Sequence, residues 1–325
     1  MKLSRQLIAA ALATVAFASP ALAGTAALTQ VGALSEATRP HGVPLDYVVT
    51  PNGLFHPSCV IQVADDERVT ANGAVVRRDG SEVASKSAAC AHPRFVARAG
   101  SVERIEPNGE QPAFDGWVAD SNSNSNVTPP AKKMVATFGV PSGPTTKNGQ
   151  VLYYFPGLED GGAVQTILQP VLAWNGFGDS RWTMTNWNCC KSGKTYHGST
   201  IAVNTGDKIK GSMIGANCSN GVCPNWTIKS VDKNTGQSTT FQTEGYGQAF
   251  DWYFGGAKEV YGVSSCSQYP ANGSITFSAI HVFDQNGTET TPTTWNTMKS
   301  GSAPACNYGV AVTKNVTKIT FSASN

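Results

Sequence analysis

Short runs of alternating apolar and polar residues fill the last two thirds of the chain. The runs at 182–188 and 274–283 are typical, whereas the predicted strand at 151–155 is apolar throughout, and turn-forming pairs such as Asn272-Gly273 separate the runs. Alternation with a period of two places successive side chains on opposite faces of a β-strand, and no run has the spacing of an amphipathic helix. The other predicted strands are 164–174, 200–203, 208–214, 226–231, 238–242, 258–263, 308–312 and 316–322. The pattern predicts an all-β fold over residues 132–325, a two-sheet antiparallel sandwich of the jelly-roll or concanavalin-like type.

The front segment, residues 24–120, has a weaker pattern of the same kind. Its predicted strands are short, and they lie near 46–49, 59–63 and 74–76. A linker of Ser, Asn and Pro follows at 121–131, and such a composition offers nothing to bury. We interpret the front segment as a small β-rich propeptide, and a permanent accessory domain is the alternative.

The first 23 residues have the three parts of a secretory signal peptide. Lys2 and Arg5 precede an apolar stretch at 7–18, and Ala21-Leu22-Ala23 gives an A-x-A ending. The apolar stretch is shorter than the roughly 20 residues that a membrane span needs. We therefore expect cleavage after Ala23 and export to the extracellular space or periplasm, with no membrane partner.

Export makes the eight cysteines candidates for disulfide bonds. Cys59 and Cys90 stand apart from the others and are predicted to pair. The remaining predictions are Cys218–Cys223 across a turn, Cys266–Cys306 over a longer loop, and for Cys189 and Cys190 either a bridge between neighbours or separate bridges. No Cys or His spacing fits a zinc site, so we expect neither metal nor cofactor.

Charge excludes one class of partner. The net charge is +2, with an acidic front segment and a basic rear domain, and there is no basic run of the kind that binds nucleic acid. Opposite net charges on the two parts favour their docking. We expect no nucleic-acid partner, and we expect a monomer.

Two polar residues lie in predicted strands where their side chains need a specific partner. Gln169 is set into an apolar run with Gln165, and an unpartnered amide in an apolar site costs a few kcal/mol. Glu259 lies in the run from Ala257 to Tyr261, and we interpret its side chain as sharing one face of the strand with those two residues. The alternative interpretation is that Glu259 faces the solvent beside Lys258. Common hydrolase signatures, such as G-x-S-x-G and H-E-x-x-H, are absent.

Several pieces of the rear domain resemble, in their order, the motifs of a known peptidase family. They are Ile167-Leu168-Gln169, the tryptophans Trp174, Trp182 and Trp187, the run Gly206-Asp207-Lys208-Ile209-Lys210, Glu259, and the strand Ser274-Ile275-Thr276-Phe277. This order, over residues 150–285, resembles the glutamic peptidases called eqolisins, which carry I-L-Q-T-G, a Trp-rich segment, G-D-x-I-x-V, a W-x-x-E strand and a closing V-T-F strand. The sequence departs from the family at Pro170 and Val171, which replace Thr and Gly, and at Trp252, which is far from Glu259.

The resemblance implies a secreted sandwich peptidase with an acidic propeptide. It implies that Gln169 and Glu259 form a dyad that activates water for acid-acting hydrolysis of a polypeptide substrate, and that the front segment acts as an inhibitor. In this hypothesis the substrate contacts are Trp174, Trp182 and Trp187.

Two other functions fit the same predicted fold. One is a carbohydrate-binding, lectin-like module, because exposed aromatic rings on a sandwich can stack on sugars. The other is a glycoside hydrolase with two carboxylates, and Glu259 with Asp251 is the pair to test. Glu159 and Asp160 precede Gly161-Gly162 and are interpreted as the tip of a hairpin.

Overall fold

A computed structural model describes most of the chain, namely residues 31–32, 34–36, 38–98, 101–107, 116–123, 129–162, 166–300 and 304–324. The predicted signal peptide and Gln165 lie outside these residues. Within them, no helix is long and apolar enough to cross a membrane.

The described residues form an almost purely β structure of three sheets, which confirms the predicted fold class. The strands of sheet I are β3 (Val60–Gln62), β8 (Trp117–Asn122), β10 (Val151–Glu159), β11 (Ile167–Trp174), β12 (Trp182–Cys189), β13 (Thr195–His197), β14 (Ile201–Ala202), β18 (Trp252–Tyr261) and β20 (Asn296–Lys299). Their order in the sheet is β20-β8-β18-β10-β11-β12-β13-β3, with β14 beside β12.

Sheet II packs against one face of sheet I and completes the sandwich. Its strands are β4 (Glu67–Val69), β5 (Val75–Arg77), β9 (Ala131–Gly139), β15 (Lys208–Ala216), β16 (Asn225–Asp232), β17 (Ser238–Glu244), β19 (Ser274–Asp284), β21 (Gly309–Thr313) and β22 (Val316–Thr320). Their order in the sheet is β21-β22-β19-β9-β15-β16-β17-β4-β5.

Sheet III belongs to the front segment. It consists of β1 (Val48–Thr50), β2 (Gly53–Phe55), β6 (Arg94–Arg98) and β7 (Ser101–Ile105) in that order. The helical pieces are one α-turn, α1 (Ala84–Ser87), and 3-10 turns at Pro57–Cys59, Lys191–Gly193 and Cys266–Gln268.

Sheet I is buried on both faces, because a second core lies on the side away from sheet II. The core between the sheets contains Leu172 and Phe277, and the second core joins Tyr153 and Val171 of sheet I to Leu54 of the front segment. Every residue of β10, β11 and β12 is therefore buried, while β15 alternates between buried and exposed positions. Two-sided burial explains why β10 and β11 are nearly continuous apolar runs.

The front segment contributes strands to both sheets of the sandwich. Its β3 pairs with β13 in parallel, and its β4 pairs with β17 in parallel. Strand β8 lies between β18 and β20 and takes in residues 121–122 of the predicted linker, whose residues 124–128 lie outside the described part. Removal of the front segment as a propeptide stays a prediction.

Four disulfide bonds are present, and they confirm the predicted pairs. These are Cys59–Cys90, Cys218–Cys223, Cys266–Cys306 and, of the two alternatives for the neighbouring cysteines, the bridge Cys189–Cys190.

Candidate active site

The polar residues of interest lie on the face of sheet I that the front segment covers, which we call the covered face. Residues directly opposite in antiparallel strands share a face. Glu259 of β18 is opposite Tyr153 of β10, which is opposite Ala173 of β11. Gln169 shares its face with Ala173, four positions along β11. Both predicted catalytic side chains therefore point to the covered face, and both are fully buried.

The register does not make Gln169 and Glu259 neighbours. Strand β10 lies between their strands, and Gln169 is four residues from Ala173, the β11 residue on the row of Glu259. Four residues along a strand cover about 13 Å and two strand spacings about 10 Å, so the two α-carbons are about 16 Å apart. Phe155 and Val171 are paired on the row between them.

Gln169 finds a partner in the front segment. Its Nε2 donates a hydrogen bond to the carbonyl oxygen of Pro51 over 3.4 Å. Its Oε1 is buried and accepts no hydrogen bond from the residues described. The amide that the sequence analysis expected to be partnered thus holds a peptide carbonyl group, and half of its hydrogen-bonding capacity is left over.

Glu259 has an aromatic environment. The hydroxyl of Tyr261 donates to its Oε1 over 2.5 Å. The hydroxyl of the neighbouring Tyr153 donates to the carbonyl of Val49 over 3.0 Å, and burial together with the charge of Glu259 raises the pKa of Tyr153 well above its ordinary value. The alternative of a solvent-facing Glu259 beside Lys258 is wrong, because both residues are completely buried.

Lys258 points to the opposite face of sheet I, into the core of the sandwich. Its Nζ lies 3.1 Å from the ring centre of Tyr269, 3.9 Å from that of Phe321 and 4.8 Å from that of Tyr308. Desolvation lowers its pKa well below the ordinary value. Burial among these rings therefore disfavours the charged ammonium form of Lys258.

Glu159 is a buried carboxyl group that the sequence analysis did not select. It was interpreted as part of a hairpin tip, but it is the last residue of β10, lies opposite Ile167 and Trp252, and has no exposed surface. Neither of its oxygens has a hydrogen-bond partner among the residues described. Burial raises its pKa well above the ordinary value, and the charges of Asp160 and Asp120 act in the same direction.

Two further charged groups lie around this end of the covered face. Asp120 of β8 accepts a hydrogen bond from Nδ2 of Asn122 over 2.7 Å, and burial raises its pKa to about 6. Arg94 of the front segment donates from Nη1 to Sγ of Cys190 over 2.5 Å, and its positive charge lowers the pKa of Glu159. The front segment therefore supplies a positive charge that acts on Glu159.

The predicted substrate tryptophans divide between the two faces of sheet I. Trp174 and Trp182 pack against each other with ring centres 5.4 Å apart, in the core between sheets I and II. Trp187 is on the covered face, directly opposite Gln169, and its ring centre lies 4.8 Å from that of His197. The structure brings Trp187 to Gln169 and places the other two behind the sheet.

The carboxylate pair considered for a glycoside hydrolase is separated. Asp251 precedes β18 and accepts a hydrogen bond from the amide of Gly161 over 2.8 Å, whereas Glu259 lies near the other end of that strand. Among the described residues, no group of three or more His, Cys, Asp or Glu side chains is arranged to hold a metal ion.

Comparison with known proteins gives distant structural neighbours. No family model and no curated protein sequence matches the chain. Among solved structures, scytalido-glutamic peptidase with a peptide-based transition-state analogue is similar at 13% identity and a TM-score of 0.47, over 63% of this chain and 98% of that one. SCP-B, an eqolisin bound to the tripeptide Ala-Ile-His, gives the same four values. Aspergilloglutamic peptidase from Aspergillus niger is 18% identical with a TM-score of 0.40, over 53% of this chain and 98% of that one. These values describe a distant structural relationship, and the function proposed below rests on the site.

Proposed function

We propose that the chain is the precursor of a secreted, acid-acting endopeptidase, in which Gln169 acts on the scissile peptide bond and the front segment blocks the site. The observation that carries the proposal is the hydrogen bond from Gln169 to the carbonyl oxygen of Pro51. A side-chain amide on a buried face that already holds a peptide carbonyl can hold the carbonyl of a substrate in the same way.

Pro51 and Asn52 form the turn between β1 and β2, and side chains of the rear domain hold this hairpin tip. The carbonyl of Val49 accepts from Tyr153 over 3.0 Å, and Nδ2 of Asn52 donates to the hydroxyl of Thr195 over 3.0 Å. Three side chains of the rear domain thus contact the main chain or side chain of three front-segment residues, Val49, Pro51 and Asn52. Main-chain hydrogen bonds are the contacts by which peptide-binding sites hold any sequence.

The chemistry requires a water molecule, a carboxyl group and the amide. The carboxyl group takes a proton from water, and the amide of Gln169 stabilises the oxyanion of the tetrahedral intermediate, a contribution of about 3–4 kcal/mol in known oxyanion holes. Trp187, opposite Gln169, offers an apolar wall for a substrate side chain. The role of Glu259 as the carboxyl partner stays a prediction. The register separates its α-carbon from that of Gln169 by about 16 Å.

Access to the site requires the front segment to move. Gln169, Glu159 and Glu259 have no exposed surface in the full chain, so a substrate cannot reach them. We propose that acid loosens the front segment and that its cleavage makes the opening permanent. Exported peptidases held in this way do not act before they leave the cell.

The experiment is incubation of the purified full chain between about pH 3 and 5 with an unfolded protein substrate, with fragments identified by mass spectrometry. Wild type is expected to cleave both the substrate and its own front segment, and Gln169→Leu is expected to cleave neither. Gln150→Leu is the control, because Gln150 is a buried amide away from the covered face that donates to Thr146 and Gln268. A wild type that cleaves nothing, with or without the front segment, would contradict the proposal.

One observation favours a glycoside hydrolase as second candidate. Glu159 and Asp120 are two buried carboxyl groups on the covered face, each with a raised pKa, and the charge of Asp120 acts on Glu159. A pair of carboxyl groups is the usual machinery of glycoside hydrolysis. Release of reducing ends from polysaccharides would identify this activity, and binding without release would identify a lectin-like module.

A further inference from the structure

Glu159 and Gln169 are diagonal neighbours on the covered face. The pairs Leu158–Leu168 and Tyr154–Leu172 share one register, which places Gly157 opposite Gln169. Glu159 is two positions beyond Gly157 on the adjacent strand. Side chains in this relationship have α-carbons about 7–8 Å apart and can meet when they are long. Glu259, in contrast, is separated from Gln169 by a whole strand and four residues.

Both of these neighbours have hydrogen-bonding capacity that is not used. The two oxygens of Glu159 and the Oε1 of Gln169 are buried and have no partner within the described part of the chain. A buried polar atom without a partner costs about 1–3 kcal/mol. All three atoms are hydrogen-bond acceptors on neighbouring strands, and a water molecule that donates one hydrogen to Glu159 and the other to Oε1 of Gln169 would satisfy two of them.

We infer that Glu159, and not the predicted Glu259, is the carboxyl group that works with Gln169. The inference rests on the proposed function and names a further residue for it. Gly157, between the two side chains, has no side chain of its own, and the side chain of Ile167 packs over it, with Cδ1 3.3 Å from the position that a Cβ of Gly157 would take.

The reaction balances with these groups alone. The Glu159 carboxylate removes a proton from water while the water oxygen forms a bond to the carbonyl carbon, and the resulting oxyanion accepts a hydrogen bond from Nε2 of Gln169. The carbon–nitrogen bond then breaks as the Glu159 carboxyl returns the proton to the leaving nitrogen. The products are a carboxylic acid and an amine, and the carboxylate is regenerated.

The front segment controls the ionisation of Glu159 as well as access to it. In the closed chain, desolvation is the largest cause of its raised pKa, followed by Asp160 and Asp120, and Arg94 opposes them. Departure of the front segment would admit water and remove both Arg94 and Asp120. Because desolvation is the larger effect, the pKa would fall toward the ordinary glutamate value of about 4.3. The carboxylate would then be available in mild acid once the site is open.

Two matched substitutions test the assignment by activity. Glu159→Gln and Glu259→Gln make the same chemical change in two fully buried side chains of one face. The kcat/KM of Glu159→Gln is expected to fall at least about 100-fold below that of Glu259→Gln, which is the usual contribution of a general base. The reverse order would overturn the inference and leave the proposed function standing. Loss of activity in Gln169→Leu alone, with both glutamate variants active, would also overturn it.

A second measurement needs no activity and therefore separates the two proposals. In the full chain, carboxyl carbons of labelled glutamates are titrated by NMR, and the signals are assigned with Glu159→Gln and Glu259→Gln. Gln169→Leu removes a polar neighbour, so it is expected to raise the pKa of Glu159 by about one unit and to leave that of Glu259 in place. A shift of Glu259 instead, or of neither residue, would overturn the inference even if no substrate is ever cleaved.

Discussion

The hydroxyl of Tyr153 donates a hydrogen bond to the carbonyl oxygen of Val49 over 3.0 Å, and both residues are completely buried. The bond joins the central strand of sheet I to the first strand of the front segment. In Tyr153→Phe the Val49 carbonyl loses this partner, and a buried hydrogen-bonding group without a partner costs about 1–3 kcal/mol. We expect faster amide hydrogen exchange over residues 47–55 and unchanged exchange in β15 and β16.

The next residue provides the control for this prediction. Tyr154 is equally buried on the other face of β10, and its hydroxyl has no hydrogen-bond partner among the residues described. Tyr154→Phe is expected to leave the exchange of residues 47–55 at the wild-type rate. Equal acceleration in both variants would mean that the Tyr153 hydroxyl does not hold the front segment.

Lys258→Met is expected to stabilise the protein. Desolvation lowers the pKa of Lys258 well below its ordinary value of 10.5. Between the folded and the unfolded pKa the unfolded chain binds more protons, so the free energy of unfolding falls by about 1.4 kcal/mol for each pH unit below 10.5, until the folded lysine is itself protonated. Methionine has a similar length and no such cost, so its advantage grows as the pH falls.

Urea unfolding at a series of pH values measures this difference, with the exposed Lys229→Met as control. The expected result is a stability gain for Lys258→Met that increases from alkaline to neutral pH, and little change for Lys229→Met. A Lys258→Met protein less stable than wild type at neutral pH would show that the ammonium form interacts favourably with the rings of Tyr269 and Phe321.

Gly256→Ala is expected to destabilise the sandwich. A Cβ at Gly256 of β18 would lie 2.3 Å from the ring of Phe277, which is fully buried in β19. Overpacking of this kind costs about 1–3 kcal/mol. Gly139→Ala is the control, because a Cβ there has no atom within 4 Å. Thermal unfolding should separate the two variants, and an equal melting temperature would show that sheets I and II can move apart at this point.

Strand positions were predictable where one face of a strand meets water. Strand β15 alternates strictly, and the predicted strand at 208–214 matches its bounds of Lys208–Ala216 closely. The prediction for β10 ended at Phe155, because Pro156-Gly157 is a typical strand end, but the strand continues to Glu159. A strand that is buried on both faces has no alternation to show where it stops.

The site was harder to predict than the fold, because it depends on register. Gln169 was selected correctly as a buried amide in need of a partner, but that partner, Pro51, is 118 residues away in the front segment. The prediction that β10 ends at Phe155 left Glu159 outside the strand. The spacing within the strand could have placed Glu159 on the covered face, because Glu159 is six positions after Tyr153 and an even spacing puts two residues on the same face. The spacing of Gln169 and Glu259 could not be read from the sequence, since β10 is inserted between their strands.

His197 is expected to make the closed chain less stable in acid. It is buried against Trp187 and Phe177, its Nδ1 donates to the carbonyl of Gly198 over 2.8 Å, and burial lowers its pKa from 6.5 to about 4. Between these two values the unfolded chain binds more protons, so the free energy of unfolding falls by about 3 kcal/mol as the pH falls from 6.5 to 4.

His197→Phe removes this contribution and keeps a ring beside Trp187. Its unfolding free energy is expected to lose about 3 kcal/mol less than that of wild type between about pH 6.5 and 4, as measured by urea unfolding. His281→Gln is the control, because His281 lies at the surface next to Glu289. If protonation of His197 causes the front segment to open, residues 47–55 should become exposed to solvent only at a lower pH in His197→Phe than in wild type. An unchanged pH dependence in that variant would assign the acid response to other groups, and the acid opening proposed for the precursor would then need a different trigger.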